Sequence, residues 1–390
     1  MLNELKNKRI WLHSLGCRTN QSEKESIASG LLERGAIIEN NPQDSDAAVI
    51  LTCSVTSTAD KKSRQCIRMT RRSITPGGII IACGCWAQQL NEDEAKELGI
   101  DFIVGNRQKH LVLGLLEESF SLDKTKSSEK SILHVTGVWN SDQILWDVLP
   151  IMRPVTRCRA FIKIQDGCDR FCSYCIVPFL RGRPVSRPIK DIICEINNVV
   201  AFGCKEIVLT GTNLGDYHCE AQTLGSLGHP FSKGGGISLL IEEIAKTGVK
   251  LQFGSIEPFS INEEFLKAVR KLSDENRFSP PLHIPLQSGD DIILSRMKRG
   301  YTSSEYLSKI INIRDVLGEI PISTDLIVGF PGETEEAFSN SVSVLRMVGF
   351  CKVHVFPYSP RENTPAANYE AQVPKEVILR RVKEINDNRN

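Results

Sequence analysis

The chain has 390 residues, enough for two or more domains, and its apolar and charged fractions of 41% and 24% are those of an ordinary globular protein. The formal net charge of +1 excludes a whole-molecule attraction to nucleic acid, so any basic binding surface must be local. No apolar run reaches membrane-spanning length, and residues 1–6 lack the layout of a secretion signal. The 13 cysteines are therefore expected to be thiols and metal ligands in a reducing cytoplasm.

Residues 1–116 alternate short β-branched runs with amphipathic helical patterns. Strands are predicted at 9–13, 47–51, 78–82 and 101–104, and helices are predicted to begin near Asn20, Ser57 and Gln88. This alternation predicts a parallel sheet covered on both faces, of flavodoxin-like type.

Three cysteines each follow one of the predicted strands: Cys17, Cys53 and Cys85. In open α/β sheets ligands bind beyond the carboxyl ends of the strands, so these thiols are expected to converge. They would form a metal site with three protein ligands and one open iron. Cys83 is an alternative to Cys85 because both have the same strand parity. We favour Cys85, which lies past the strand in the turn, although any one of these cysteines singly is as readily explained as a buried small apolar residue.

The predicted helix after Cys53 carries a row of basic residues at helical spacing: Lys61, Lys62, Arg64, Arg68, Arg71 and Arg72. They are either a solvated helix face or a surface for RNA phosphates. The sequence does not separate these two interpretations.

Residues 117–153 lose periodicity, are polar and rich in lysine near 119–131, and are predicted to be a linker. From 154 to 370 strands and helices alternate again, with strands predicted at 160–165, 206–210, 250–255, 281–286, 322–328 and 351–357 and helices near Lys190, Ile237, Ile261, Ser303 and Glu333. Six such units predict a partial (β/α)6 barrel with its site at the carboxyl ends of the strands. Residues 371–390 are predicted to be a helical tail.

The first barrel strand leads into Cys168, Cys172 and Cys175, which are spaced C-x-x-x-C-x-x-C. This spacing is typical of a short loop that binds three corners of a 4Fe-4S cluster and leaves one iron open. The alternative is a zinc knot, but zinc sites usually add a second cysteine pair or histidines, which are not found nearby. The remaining cysteines show no ligand spacing and are expected to be structural thiols, with the His218–Cys219 pair the one exception that merits attention. Arg181 and Arg183, just after the loop, are expected to contact phosphate or to lie on the protein surface.

With Tyr174, the loop has the C-x-x-x-C-x-Φ-C form and resembles that of the radical S-adenosylmethionine (SAM) enzymes, where Φ is aromatic. The resemblance implies that the open iron holds SAM and that an electron from the cluster cleaves it to a 5′-deoxyadenosyl radical. It also implies that the strand ends cradle SAM, which makes Gly211, Thr212, Glu257, Gln287 and Gly329 candidate contacts beside Tyr174. Glycines and polar residues are equally what turns require, so each candidate alone is weak.

Three N-terminal motifs together with the loop resemble the methylthiotransferases: Ser14-Leu15-Gly16-Cys17, Thr52-Cys53-Ser54-Val55-Thr56 and Cys85-Trp86-Ala87-Gln88. The resemblance extends to about residue 370 and implies a second, auxiliary 4Fe-4S cluster on Cys17, Cys53 and Cys85. The residues that follow Cys17 and Cys53, and the segment 355–359, are most similar to the branch that acts on threonylcarbamoyladenosine in tRNA.

The function expected from this resemblance is transfer of a methylthio group to C2 of that adenosine, with SAM as methyl donor and radical source. The implied partners are tRNA and a reductant such as flavodoxin or ferredoxin, while the sulfur donor stays open. Alternatives are the same chemistry on isopentenyladenosine or on an aspartate of a ribosomal protein, or a non-catalytic electron-transfer or sensor protein. Methylthiotransferases usually continue into a small tRNA-gripping β-barrel, the TRAM domain, for which residues 371–390 leave no room.

Overall fold

The structure is a computed structural model that describes residues 4–121, 133–135, 146–154, 158–218 and 235–387. Cys219 and residues 122–132 and 136–145 of the predicted linker lie outside the described residues. By its internal contacts the chain forms two compact units, one of residues 1–169 and 177–205, the other of residues 170–176 and 206–390. None of the helices in the described part of the chain is long and apolar enough to cross a membrane.

The first unit is built on a parallel sheet. Its strands are β1 Arg9–Ser14, β2 Ile37–Glu39, β3 Ala47–Thr52, β4 Ile79–Gly84, β5 Phe102–Val104, β6 Leu133–Val135, β7 Arg159–Lys163, β8 Gln165–Asp166 and β9 Val185–Ser186. Its helices are α1 Arg18–Glu33, α2 Ser57–Ser73, α3 Glu92–Leu98, α4 Leu111–Ser121, α5 Val177–Arg181 and α6 Ile189–Ala201. The sheet order is β2-β1-β3-β4-β5-β6, with all pairs parallel, while β8 and β9 form a separate antiparallel pair.

Burial and capping explain why these elements form. All six residues of β3 are buried, as expected of a central strand with helices on both faces. The side chain of Thr56 accepts a hydrogen bond from Ala59 N at the start of α2, and Asn91 and Glu94 form a capping box on α3. Helix α3 ends at Gly99, whose φ of 69° is left-handed.

The second unit continues the strand–helix alternation. Its strands are β10 Glu206–Thr210, β11 Lys250–Phe253, β12 Leu282–His283, β13 Ile322–Val328 and β14 Lys352–Pro357. Its helices are α7 Gly235–Ala245, α8 Glu263–Asp274, α9 Asp291–Arg296, α10 Ser303–Leu317, α11 Glu335–Val348 and α12 Lys375–Asp387. Strands β10 and β11 pair in parallel, β12, β13 and β14 pair in parallel, and a parallel bridge between Ser255 and His283 joins the two sets.

The predicted fold class, a flavodoxin-like sheet followed by the strands of a partial barrel, is confirmed. The predicted strands all occur near the expected positions. The strands β2, β6, β8 and β9 and the helices α4, α5 and α9 were not predicted. The predicted linker 117–153 is therefore wrong at two places, because α4 extends to Ser121 and β6 pairs with β5 in the sheet. β2 has three residues, none of them buried, so it carries little hydrophobic pattern.

Candidate functional site

The sheet of the first unit brings Cys17, Cys53 and Cys85 to adjacent strand ends. Strands β1, β3 and β4 are neighbours in the sheet, and each of these thiols follows the end of one of them. Cys17 is exposed and lies at the N-cap of α1, whereas Cys53 and Cys85 are buried. The amide of Cys85 donates to the carbonyl of Thr52 at 3.2 Å, which ties the turn after β4 to the end of β3.

A glycine allows the backbone to pass close to this group. Gly16 has φ of +87°, and a Cβ placed on it would lie 2.4 Å from Cys53 Sγ. Only glycine fits this position without displacing the thiol, because both the space and the left-handed backbone exclude a side chain. The loop before Cys17 is therefore shaped around Cys53.

The thiols affect each other electrostatically. Burial, with smaller contributions from Cys17 and Cys85, raises the pKa of Cys53 to about 12, whereas Arg181 opposes the shift. Burial also raises the pKa of Cys85, again opposed by Arg181. Such thiols are inert alone and need a cation or metal to ionise.

Cys83 lies apart from this group. It packs in an apolar cluster with Leu12, Val49 and Leu51, and its Sγ lies 3.6 Å from the Ile50 carbonyl. Its position inside the sheet favours Cys85 as the third thiol of the strand-end group. Cys66 lies on α2 and is half-buried, as expected of a packing residue.

Beside the thiols the first unit buries a network of five charged side chains: Glu23, Lys109, Lys163, Asp166 and Arg181. The Glu23 carboxylate accepts from Lys163 at 2.7 Å and from Arg181 at 3.2 Å, and lies 3.2 Å from Lys109. The Asp166 carboxylate pairs with Lys163 at 2.7 Å and with Arg181 at 2.8 Å. Despite burial, these cations hold the pKa of Glu23 near 2 and the pKa of Asp166 well below its ordinary value.

These five side chains are three cations and two carboxylates, and the buried carboxylate of Asp147 is close enough to raise the pKa of Lys163 as well. Burying charges is costly unless groups of opposite charge lie nearby. Cys85 and Cys17 help to raise the pKa of Arg181, the network member that also donates to Asn20 Oδ1 at 3.1 Å. A cubane cluster held by three thiolates is an anion, and the residues fit it in charge and ligand type.

The expectation that Arg181 contacts phosphate or lies on the surface is wrong. Only 2% of its surface is exposed, and its guanidinium donates to Glu23, Asp166 and Asn20 inside the first unit. Arg183 is exposed.

The cysteines of the C-x-x-x-C-x-x-C loop are divided between the units. Cys168 belongs to the first unit, where its amide donates to the Gly182 carbonyl at 3.0 Å. Gly167 precedes it with φ of +79°, and a Cβ there would lie 2.2 Å from the Arg183 carbonyl oxygen. This part of the loop is packed too closely against 182–183 for any residue but glycine.

Cys172 and Cys175 belong to the second unit and span one tight turn. The amide of Cys175 donates to the Cys172 carbonyl at 2.9 Å. Between them Ser173 donates from its amide to the Met297 carbonyl at 3.1 Å and accepts at its own carbonyl from Ala366 N at 2.8 Å. Tyr174 lies edge-on to Phe330, with ring centroids 6.5 Å apart. The backbone of this turn is thus fixed on both sides.

A buried arginine contacts one of these thiols. Arg299 lies 3.5 Å from Cys172 Sγ through Nη1, forms an ion pair with Glu257, and donates from Nε to Tyr301 Oη at 3.1 Å. Glu257 is one cause that raises the pKa of Arg299 against the effect of burial. The second unit therefore aims a fixed cation at a thiol that is predicted to bind a cluster.

The predicted SAM contacts lie at the carboxyl ends of their strands, in differing surroundings. Gly211 and Thr212 directly follow β10 and are partly exposed. Gln287 has φ of 67°, and its backbone bonds to Asp325 and Ile327. Glu257 forms an ion pair with Arg299. The space beside the Gly329 Cα is occupied by Ile378 of α12, which would lie 2.3 Å from a Cβ at that position. Helix packing already requires a glycine at 329, and the other positions stay predictions.

Some of the basic side chains of α2 are paired with acidic residues and are therefore not available to RNA phosphates. Arg71 donates to the Gly99 and Gly78 carbonyls and pairs with Asp101 at 2.5 Å, which makes it a structural link. Arg64 and Arg68 face Glu94 and Glu97 of α3 at 3.8 and 3.4 Å. The exposed residues for which the structure gives no such pair are Lys61, Lys62 and Arg72.

Family models match two parts of the chain, and known proteins match nearly its full length. Residues 9–105 match the model described as uncharacterized protein family UPF0004, and residues 162–345 match the radical SAM superfamily. The chain is 35% identical over 375 residues to the threonylcarbamoyladenosine tRNA methylthiotransferase MtaB of Bacillus subtilis, covering 96% of this chain and 78% of that protein. The chain belongs to the radical SAM methylthiotransferase family. It is also 33% identical over 383 residues to the tRNA-2-methylthio-N(6)-dimethylallyladenosine synthase of Syntrophus aciditrophicus, with 97% and 78% covered.

A solved structure shares the fold of this methylthiotransferase. The radical SAM methyltransferase TsrM from Kitasatospora setae, solved with cobalamin and a [4Fe-4S] cluster, superposes with a TM-score of 0.61 over 93% of this chain and 77% of that one. The sequences are 13% identical, so the likeness concerns the fold alone. The family implies a 4Fe-4S cluster and SAM as cofactors.

Sequence reasoning missed several residues of this methylthiotransferase. The network residues Glu23, Lys109 and Lys163 meet only through the tertiary fold, with partners up to 158 positions apart in the chain. Arg299 was missed for the same reason. One local signal existed, since Lys163 is a charged residue within the otherwise apolar run 160–164.

Proposed function

We propose that this methylthiotransferase binds two 4Fe-4S clusters, a radical cluster on Cys168, Cys172 and Cys175 and an auxiliary cluster on Cys17, Cys53 and Cys85. The observation that carries the proposal of a second cluster is the set of three thiols at adjacent strand ends, two of which, Cys85 and Cys17, raise the pKa of the buried Arg181. Each trio leaves one iron without a protein ligand.

We propose threonylcarbamoyladenosine of tRNA as the substrate, modified at C2. The relatives from Bacillus subtilis, Aquifex aeolicus and Chlamydia pneumoniae, which are 35%, 32% and 34% identical, carry this adenosine in their names. The residues that follow Cys17 and Cys53, which are most similar to those of the threonylcarbamoyladenosine branch, support the same substrate. The relatives named for dimethylallyladenosine are 31–33% identical, which keeps that adenosine as the second candidate.

The chemistry explains the cofactor set. The C2–H bond of adenine is unactivated, and no side-chain acid or base removes that hydrogen at neutral pH. When bound, the clusters and SAM supply the radical, the methyl group and the sulfur. The residues of this chain hold and orient these cofactors. The two cysteine trios are the proposed cluster ligands, and Arg299 contacts a thiol of the radical trio. The strand-end residues Gly211, Thr212 and Gln287 would bind SAM through their backbone and through hydrogen bonds.

The test is nucleoside mass spectrometry of tRNA. Protein reconstituted anaerobically is incubated with SAM, a reductant and sulfide, in parallel with tRNA carrying threonylcarbamoyladenosine and tRNA carrying isopentenyladenosine. We expect methylthio product from the first only. Product from the second alone would transfer the proposal to that substrate.

SAM cleavage without product on either tRNA would direct the search to a protein substrate such as the ribosomal aspartate. An absence of SAM cleavage with both clusters intact would instead support the electron-transfer or sensor alternative.

A further inference from the structure

Three neighbouring strands of the second unit bring together two histidines and an aspartate that the proposed function does not use. His283 ends β12, Asp325 lies in the middle of β13, and His354 lies on β14. In the parallel register Asp325 is paired with His354, and His283 with Ser323. One potential ligand atom from each of the three lies within 4.8 Å of the other two.

The spacing suits a shared cation. Nε2 of His283 and Oδ2 of Asp325 are 3.2 Å apart. A metal about 2.1 Å from both atoms, the usual length for imidazole and carboxylate ligands, would see them at an angle of about 100°. That angle lies between the octahedral and tetrahedral values. The ring of His354 lies edge-on to that of His283, with centroids 5.7 Å apart, and its potential ligand atom lies within 4.8 Å of those of His283 and Asp325. Two ligand atoms of one such ion lie at most about 4.2 Å apart, so the His354 ring would move closer on binding.

A hydrogen bond orients the first ligand. Nδ1 of His283 lies 2.9 Å from Ser323 Oγ, the residue paired with it across the sheet. With Nδ1 engaged, Nε2 is left for the metal, which is the usual arrangement of a ligating histidine and its outer partner.

The site is neither sealed nor fully solvated. The side chains of His283 and Asp325 are 12% and 23% exposed, so water can reach the remaining coordination positions. Asp325 also stands in a strand whose other residues are all buried. A carboxylate in such a strand is costly unless a cation or hydrogen bonds compensate it.

We propose that His283, Asp325 and His354 bind one divalent first-row transition metal ion, with at least one position left to water. Two imidazoles and one carboxylate are a ligand set for zinc or ferrous iron rather than for magnesium or calcium. The ion would link β12, β13 and β14 at a place distinct from both cysteine trios. This proposal does not depend on the identity of the tRNA substrate.

Zinc is the probe, because X-ray absorption distinguishes zinc with nitrogen and oxygen neighbours, as at this site, from zinc bound by the sulfur of the cysteines. Untagged protein with both clusters reconstituted is washed with a chelator to remove loosely bound iron, incubated with Zn²⁺ and desalted. We expect one zinc per chain with only nitrogen and oxygen neighbours, at about 2.0–2.1 Å. No retained zinc, or sulfur neighbours at about 2.3 Å, which would indicate zinc on cysteines, overturns the proposal.

Variants then assign the ligands. We expect His354→Gln and Asp325→Asn to lose the zinc, and the control Asp315→Asn, an exposed aspartate on α10, to keep it. Ser323→Ala retains all three ligands and should weaken zinc binding about 10-fold or more, as loss of an outer partner typically does. Zinc retained by both ligand variants would also overturn the assignment. Cluster absorbance and circular dichroism of each variant report folding independently of zinc.

Discussion

At the scale of single residues, Arg299 is a buried cation that contacts Cys172, one of the thiols proposed to bind the radical cluster. It lies 3.5 Å from Cys172 Sγ and is buried, with 7% of its surface exposed. A positive hydrogen-bond donor beside a cluster thiolate favours the reduced, more negative cluster, and hydrogen bonds to sulfur are an established determinant of cluster potential.

We therefore expect Arg299→Gln to lower the reduction potential of the radical cluster by some tens of millivolts, on a scale where about 59 mV is tenfold for one electron. SAM cleavage should slow with dithionite as donor, while iron content is unchanged. Spectroelectrochemical titration of the Cys17→Ala background, which isolates the radical cluster, measures the shift. Arg270→Gln, an exposed control on α8, should leave the potential unchanged, and an unchanged potential in Arg299→Gln would contradict the assigned role.

Glu25 gives the protein a pH dependence of stability. Burial raises its pKa to about 7, opposed only in part by the hydrogen bond from Phe161 N at 3.3 Å. Unfolded, a glutamate titrates near 4.3, so the native state binds more protons than the unfolded state between these values. The contribution of Glu25 to the free energy of unfolding therefore falls as the pH rises from the unfolded pKa to about 7. Well above pH 7 this contribution no longer changes. The full difference is about 4 kcal/mol, at about 1.36 kcal/mol for each pKa unit.

We expect Glu25→Gln to remove this dependence, so that its melting temperature exceeds that of the wild type increasingly from pH 5.5 to pH 8. Glu33→Gln, on the exposed side of the same helix, should follow the wild type. Parallel wild-type and Glu25→Gln curves over this range would contradict the raised pKa.

Residues differ in how far the sequence predicts them. The positions of Cys17, Cys53 and Cys85 at neighbouring strand ends could be predicted because each directly follows a strand, while the role of both cysteine trios as ligands stays a prediction. The contact between Glu23 and Arg181 could not be predicted, since 158 residues separate them and only the fold pairs them. His283, Asp325 and His354 likewise come from three strands, although a charged residue within β13 is a local signal that can be used.

At the scale of elements, strands and helices with strong periodicity were predicted to within a few residues, whereas elements with a weak pattern of their own were not. β13 was predicted at its observed bounds, because most of its residues are β-branched or apolar and Gly329 and Pro331 follow its end. The two-residue strands β8 and β9 carry no pattern of their own and exist through their mutual pairing. Helix α2 was predicted, but the role of its basic face depends on α3, whose acids the linear sequence does not align with it.

For α2 we expect the combined change of Lys61, Lys62 and Arg72 to glutamate to weaken tRNA binding about 10-fold or more at 100 mM salt and to reduce the salt dependence, since phosphate contacts release counterions. Filter binding across a salt series measures both. The control Lys267→Glu with Lys271→Glu reverses two exposed lysines of α8. Equal affinity of the α2 variant and the wild type would show that this helix face is only solvated.

At the scale of the whole molecule, the proposal of two clusters makes the two cysteine trios separable by experiment. With both clusters the chain should bind about eight irons, from two clusters of four. Cys53→Ala removes a proposed ligand of the auxiliary cluster, and Cys172→Ala removes a proposed ligand of the radical cluster, namely one of its two cysteines that lie in the second unit. The matched control is Cys66→Ala, because Cys66 is a half-buried thiol on α2 outside both trios.

We expect Cys53→Ala to lose about four irons and all methylthiolation of tRNA while retaining SAM cleavage, because the radical trio is intact. Cys172→Ala should lose about four irons and both activities, and Cys66→Ala should retain everything. Iron analysis, deoxyadenosine release and nucleoside mass spectrometry on the same samples test the three variants together. If Cys53→Ala kept the full iron content and still produced methylthio-adenosine, the strand-end thiols would be packing residues and the auxiliary cluster would have to be sought elsewhere.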